Sequence, residues 1–160
     1  MFTILGKYIK HMKIVIRTTV EQHYKTVFSR FNRDLFLALK PPFLPLTLRQ
    51  FDGSMKGDEV KITLGKGFLS QDWDALIVEQ AEDEDEVYFI DKGMKLPFFL
   101  KSWTHRHRIL NLENGQSEIV DDIEYSTPLG KGMDFVMYPV MYLQFWMRKP
   151  VYKKYFSTKK

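Results

Sequence analysis

Two histidines, an aspartate and a tyrosine alternate with apolar residues along residues 103–125 of this sequence, W-T-H-R-H-R-I-L-N-L-E-N-G-Q-S-E-I-V-D-D-I-E-Y. Asn114-Gly115 separates two runs of β character and predicts a hairpin. Side chains alternate faces along a strand, so Trp103, His105, His107 and Ile109 share one face of the first strand. Ile119, Asp121, Ile123 and Tyr125 share one face of the second. These faces carry the tryptophan and the isoleucines, which makes them the buried ones. Arg106, Arg108, Asp122 and Glu124 take the opposite faces. A buried face that also holds two imidazoles, a carboxylate and a phenol predicts a polar floor within an apolar interior.

Imidazole beside carboxylate allows several chemistries. The groups can form a satisfied hydrogen-bond network that fixes the hairpin register. They can meet the polar group of a ligand. A His–Asp pair can move a proton as general acid and base. His105 and His107 with Asp121 also make a two-histidine, one-carboxylate metal set, although any strand pair with inward polar residues gives the same pattern. The residues alone leave these readings open; no metal and no cofactor are expected. Ser102 and Ser117 are expected to face outward, which leaves no serine nucleophile beside a base.

The two inward sets meet only if paired residue numbers across the hairpin sum to an even value. A two-residue Asn-Gly turn breaks that parity and sets His107 against Asp122, burying charge. The sequence therefore predicts a three-residue turn, or a bulge beside a two-residue one.

The elements that must position this hairpin follow from periodicity and turn chemistry. Residues 13–18 predict a strand. Thr19 with Gln22 predicts a capping box opening a helix over 20–31, and Asn32 caps a second over 33–39. Pro41, Pro42 and Pro45 end it in an extended loop. Strands are expected over 47–51, 59–64, 73–80 and 86–91, with Val60, Ile62 and Leu64 on one face. A long helix is expected over 131–156, with a kink or break at 146–150 because Pro150 removes a helix hydrogen bond. Its stripe of Met137, Met141, Phe145, Arg148, Tyr152 and Phe156 is apolar except for Arg148. A buried arginine needs a partner, here Asp121, Asp91 or a ligand carboxylate, unless it snorkels to the helix edge.

At 160 residues the chain is expected to form one domain over 1–160. It has no cysteine, which excludes disulfides and thiolate metal sites. The net charge of +4 comes without a basic nucleic-acid motif, so no nucleic-acid partner is expected. Residues 2–9 are too short for a secretory signal and are interrupted by Gly6 and Lys7. No apolar run approaches a membrane span. A soluble cytoplasmic protein is the expectation.

The run Pro97-Phe98, Trp103-x-His105-x-His107, Gly115, Asp121-x-x-x-Tyr125-x-x-Pro128-x-Gly130 and Phe145-x-x-Arg148 resembles the SRPBCC superfamily, in its START-like, Bet v 1-like and polyketide-cyclase-like branch. In that branch Trp usually stands closer after Pro-Phe, and Gly often precedes the Phe; here Phe99–Ser102 intervene and Pro97 takes the Gly place. The resemblance implies an α+β helix-grip fold. A curved antiparallel sheet would wrap a long C-terminal helix, with two short helices between the first and second strands. It implies a cavity between sheet and helix for a lipid, sterol or polyketide-type aromatic. Trp103, His105, His107, Asp121, Tyr125 and Arg148 are the candidate ligand-binding residues. Loop 40–46 and turn 127–132 are expected at its mouth. Non-enzymatic binding is favoured; the alternative is a cyclase or dehydratase using a His–Asp pair. A dry void of ~300 Å³ would cost ~7 kcal/mol, so the pocket is expected to be polar enough to hold water, or to be filled.

Overall fold

The computed structural model describes residues 11–157; residues 2–9, Lys159 and Lys160 lie outside the described residues. Strand β1 (Met12–Val20) shows the expected alternation, with Ile14, Ile16, Thr18 and Val20 buried. Two short helices follow, α1 (Tyr24–Ser29) and α2 (Arg33–Ala38). Then come β2 (Leu46–Phe51), β3 (Glu59–Leu64), β4 (Gln71–Glu82), β5 (Glu86–Lys95), β6 (Ser102–Asn111) and β7 (Ser117–Ser126). The chain continues through α3 (Lys131–Trp146) and α4 (Arg148–Tyr155). All seven strands join one antiparallel sheet in the order β1-β7-β6-β5-β4-β3-β2. The sheet curves around the C-terminal helices, giving the helix-grip α+β architecture expected from the sequence.

Local signals held where the sheet did not compete with them. Asn32 Oδ1 accepts from the backbone N–H groups of Asp34 and Leu35, each at 3.1 Å, and opens α2. The Thr19–Gln22 capping box does not form. β1 runs on through Thr19 and Val20, which pair with Glu118 and Ser117, and α1 begins four residues later than expected after an uncapped His23. Pairing a full strand against β7 outweighs one side-chain cap. The C-terminal helix breaks at Met147, between α3 and α4, where Pro150 cannot donate to the preceding turn. Ser117 is buried, not outward, because it stands on the same parity as Ile119; its hydroxyl donates to the Gln22 carbonyl.

The hairpin register is the one parity requires. His107 pairs with Asp121, His105 with Ile123 and Trp103 with Tyr125. Leu112 N–H donates to Gln116 O, leaving Glu113, Asn114 and Gly115 as a three-residue turn. Gly115 takes φ 77°, the left-handed conformation such a turn needs at its last residue.

The interior has two apolar clusters. One gathers Val20, Tyr24, Leu35, Ile109, Ile119 and Tyr152; the other gathers Ile14, Ile16, Trp103, Ile123, Tyr125 and Phe145. Along β6 and β7 the rungs carrying His107, Asp121 and His105 fall between them, so the polar residues form a seam across the core.

Candidate ligand-binding site

A cavity of about 170 Å³ lies between the sheet and the helices. Its sheet wall begins with the inward residues Val60, Ile62 and Leu64 of β3 and Trp73, Ala75 and Ile77 of β4. Leu35 and Leu39 close one side, and Met141 and Phe145 of α3 close another. Lys40, Pro41 and Leu44 bring the proline-rich loop to the wall, as expected; turn 127–132 contributes no lining residue. An adjoining surface groove, beside that loop and the α3–α4 junction, shares Leu39, Lys40, Pro41, Gln144 and Arg148 with the cavity.

The polar residues of the wall are Asn32, Lys40, Ser54 and Gln144 and, gathered together, Asp91, His105, His107 and Arg148. The two imidazoles stack with ring centres 3.5 Å apart and planes 31° apart. Each reaches a different carboxylate. His107 Nε2 donates to Asp91 Oδ2 at 2.9 Å, and His105 Nε2 donates to Asp121 Oδ1 at 3.0 Å. Trp103 Nε1 donates to the other oxygen of Asp91 at 3.1 Å. The Tyr152 hydroxyl donates to Asp121 Oδ1 at 3.5 Å, and Arg148 Nη1 stands 3.9 Å from the same atom. The Arg148 guanidinium also lies 4.1 Å above the Phe145 ring, and His107 stacks on Phe89 at 4.2 Å.

Burial sets the electrostatics. It opposes the charged form of His107, and the neighbouring His105 adds to this; the Asp91 hydrogen bond offsets them only in part. The His107 pKa falls to about 4, so the ring is neutral at pH 7. Burial works to raise the Asp121 carboxyl, but the His105 hydrogen bond first, and then Arg148 nearby, hold it below its ordinary value. Asp91 is likewise held low against burial, by the His107 hydrogen bond first and the Trp103 N–H last. The phenol of Tyr152 is pushed up by burial and then by Asp121.

Asp91, His105 and His107 each offer a ligand atom within 4.8 Å of the others, the spacing of a potential metal set. The third ligand is thus Asp91, not the Asp121 considered from sequence. The orientation suits hydrogen bonding better. His105 Nδ1 and His107 Nε2 both face Asp91 Oδ2, at 3.7 and 2.9 Å, and the shorter contact is a hydrogen bond, not a metal–ligand spacing. The Asp91 oxygen already sits at hydrogen-bond distance from His107.

No protein-family model matches the sequence, and no curated protein is significantly similar to it. Solved structures are similar in fold. A START superfamily protein from Mycobacterium smegmatis aligns over 84% of this chain and 92% of its own, at 11% identity and a TM-score of 0.56. Norcoclaurine synthase from Thalictrum flavum, in complex with dopamine and hydroxybenzaldehyde, aligns over 88% and 84% at 12% identity and 0.55. The Zhui aromatase/cyclase from Streptomyces sp. R1128 aligns over 72% and 68% at 12% identity and 0.50. The chain shares the helix-grip fold of these proteins.

Within this fold the six residues singled out from sequence divide. Trp103, His105, His107 and Arg148 line the cavity. Asp121 stands behind the wall, holding His105. Tyr125 is at the far end of β7, where its hydroxyl donates to the Asp134 backbone carbonyl at 2.7 Å, outside the cavity. The reason is the layering: β1 and β7 lie under α3 and α4, and the open interior begins at β6. Asp91 was passed over among the site residues. The alternation Val87, Phe89, Asp91 marked it as inward, and β5 sets it directly across from His105.

Proposed function

We propose that this protein binds a compact hydrophobic molecule, an aromatic ring system with one polar substituent, and releases it unchanged. The reading takes residues 1–160 as one ligand-binding domain working in the cytoplasm. The observation that carries it is the juxtaposition of an apolar cavity with the Asp91–His107 pair on its wall. At about 170 Å³ the cavity is below the ~300 Å³ usual for ligand sites, and an engineered cavity of ~150 Å³ holds benzene, so size favours one or two rings over a sterol. Left dry, it would cost about 4 kcal/mol, a large share of a domain's stability.

A network with a purely structural role satisfies its members. Asp121 Oδ2, His107 Nδ1 and Arg148 Nε are buried without a hydrogen-bond partner. That expense supports a functional role for the seam. In this reading the ligand's polar group meets Asp91, His107 or Arg148, while Trp103 and Phe145 flank its ring. The norcoclaurine synthase complex, with its two phenolic occupants, supports the ligand class by analogy of fold.

A second reading has one specific support. A neutral His107 hydrogen-bonded to a carboxylate is also a general base, and the aromatase/cyclase shares the fold. Native mass spectrometry of the purified full chain, followed by incubation of the bound species, separates the two. A ligand that co-purifies and is recovered chemically unchanged supports binding. Turnover abolished by His107→Ala in a protein that still folds would establish catalysis.

A further inference from the structure

The outward face of α3 is as apolar as its inward face. Phe135 is 72% exposed and Trp146 49%, and Val136, Val140, Tyr142 and Leu143 are exposed between them. Spacings of three and four residues set Phe135, Pro139, Tyr142 and Trp146 in one row and Val136, Val140 and Leu143 in the next, a continuous stripe on the helix surface. A helix facing water normally carries charge there. Between Asp134 and Arg148 the sequence has none. Single exposed apolar residues are ordinary, but a contiguous stripe marks an interaction surface.

The charge around the stripe names its partner. Lys131 opens α3, and Lys149, Lys153 and Lys154 follow beyond it. In residues 128–157 the one acidic residue is Asp134. It is buried, and its carboxylate accepts the Thr127 N–H at 2.6 Å. The outward charge of this whole segment is therefore positive. Packing two copies antiparallel through the stripe would bring Lys131 of each toward the lysines after α3 of the other, a like-charge contact. A negatively charged lipid surface meets both features. The apolar rows enter the boundary between headgroups and acyl chains, Tyr142 and Trp146 take the interfacial depth that aromatic rings favour, and the lysines meet lipid phosphates.

We infer that α3 is a docking face by which this protein lies on anionic membranes. None of the described helices is long and apolar enough to cross a bilayer, so the helix rests in the interface plane. The opposite side of α3 carries Met141 and Phe145 of the cavity wall, so the helix stands between the lipid and the cavity. The docking itself does not depend on what the cavity holds.

The test is vesicle co-flotation of the full chain. Vesicles of phosphatidylcholine with about a third phosphatidylglycerol are compared with pure phosphatidylcholine, at low salt and at high salt, where surface attraction is screened. The wild type should float with the anionic vesicles and at least tenfold less with neutral ones, and high salt should weaken the association. Val140→Asp/Leu143→Asp should abolish it. Lys149→Glu/Lys153→Glu/Lys154→Glu should reduce it at least tenfold. All these positions are at least partly exposed, so thermal melts of the variants should match the wild type. No flotation, equal flotation with both vesicle types, or flotation that survives Val140→Asp/Leu143→Asp would overturn the inference. So would a wild-type dimer in sedimentation that the aspartate variant dissociates.

Discussion

His107 and Asp121 stand directly opposite each other across the β6–β7 ladder, yet no hydrogen bond joins their side chains: His107 Nδ1 stands 3.9 Å from Asp121 Oδ1. The imidazole turns instead to Asp91, and Asp121 takes His105, one rung away. The crossing leaves two carboxylates on opposite sides of a stacked histidine pair. It also makes β5, β6 and β7 mutually dependent through side chains as well as through the backbone.

Asp121 should therefore be a large single contributor to stability in the seam. Asp121→Ala strips the acceptor from the buried His105 and Tyr152 and leaves the half-buried Arg148 without its nearest carboxylate. The expected loss is about 3–5 kcal/mol, read from urea unfolding. Asp121→Asn keeps the shape and an acceptor oxygen and should lose distinctly less. Equal, small losses from both would show that the seam is not held by this carboxylate.

Acid should destabilise the fold in a window set by His107. Its folded pKa is about 4, below the ordinary value near 6.5. Above pH 6.5 neither state holds the extra proton, and the residue adds no pH dependence. Between 6.5 and about 4 the unfolded chain takes the proton first, so stability falls as pH falls, by about 3 kcal/mol in total. Asp91 and Asp121, both held low, add a further loss at more acidic pH. His107→Gln keeps a donor for Asp91 and cannot titrate; it should flatten the limb between pH 6.5 and 4. An unchanged limb would assign the acid sensitivity elsewhere.

The three-residue turn should tolerate loss of Gly115 at a defined cost. A Cβ there meets no atom within 4 Å, so the cost is conformational alone. At φ 77° Gly115→Ala should lose about 1–2 kcal/mol with no change in ligand affinity. A loss of affinity would mean that the turn controls the register of the histidines more loosely than the ladder suggests.

Elemental analysis of protein purified without chelator should find metal well below one equivalent per chain. The Asp91 oxygen, already hydrogen-bonded to His107 Nε2, predicts this outcome. A stoichiometric divalent ion would replace the hydrogen-bond account of the site.

Much of this arrangement was legible in the sequence, for a physical reason. Strand alternation has a period of two, so parity alone assigned Trp103, His105, His107 and Asp121 to one face and left two turns, a three-residue one or a two-residue one with a bulge, of which the first is found. Parity says nothing about which part of a face stays open. Tyr125 was correctly inward, but it lies beneath α3, outside the cavity. Asp91 belongs to the site only because β5 lies beside β6, a neighbour relation that the hairpin pattern does not contain. The capping signal at Thr19 failed because strand pairing with β7, a contact about a hundred residues away, decides that segment.

The central claim is that the cavity holds a compact aromatic ligand. Trp73 and Trp103 stand in its wall, with ring centres 4.8 Å apart, so binding is readable in tryptophan emission. The decisive measurement is a fluorescence titration of the wild type and Ala75→Leu with 2-naphthol, a two-ring phenol. Ala75 lines the cavity, and leucine there fills space the ring needs. The account predicts saturation at one equivalent in the wild type and at least a tenfold weaker response in Ala75→Leu, with the fold intact. Equal binding by both proteins, or no binding by the wild type, would contradict it.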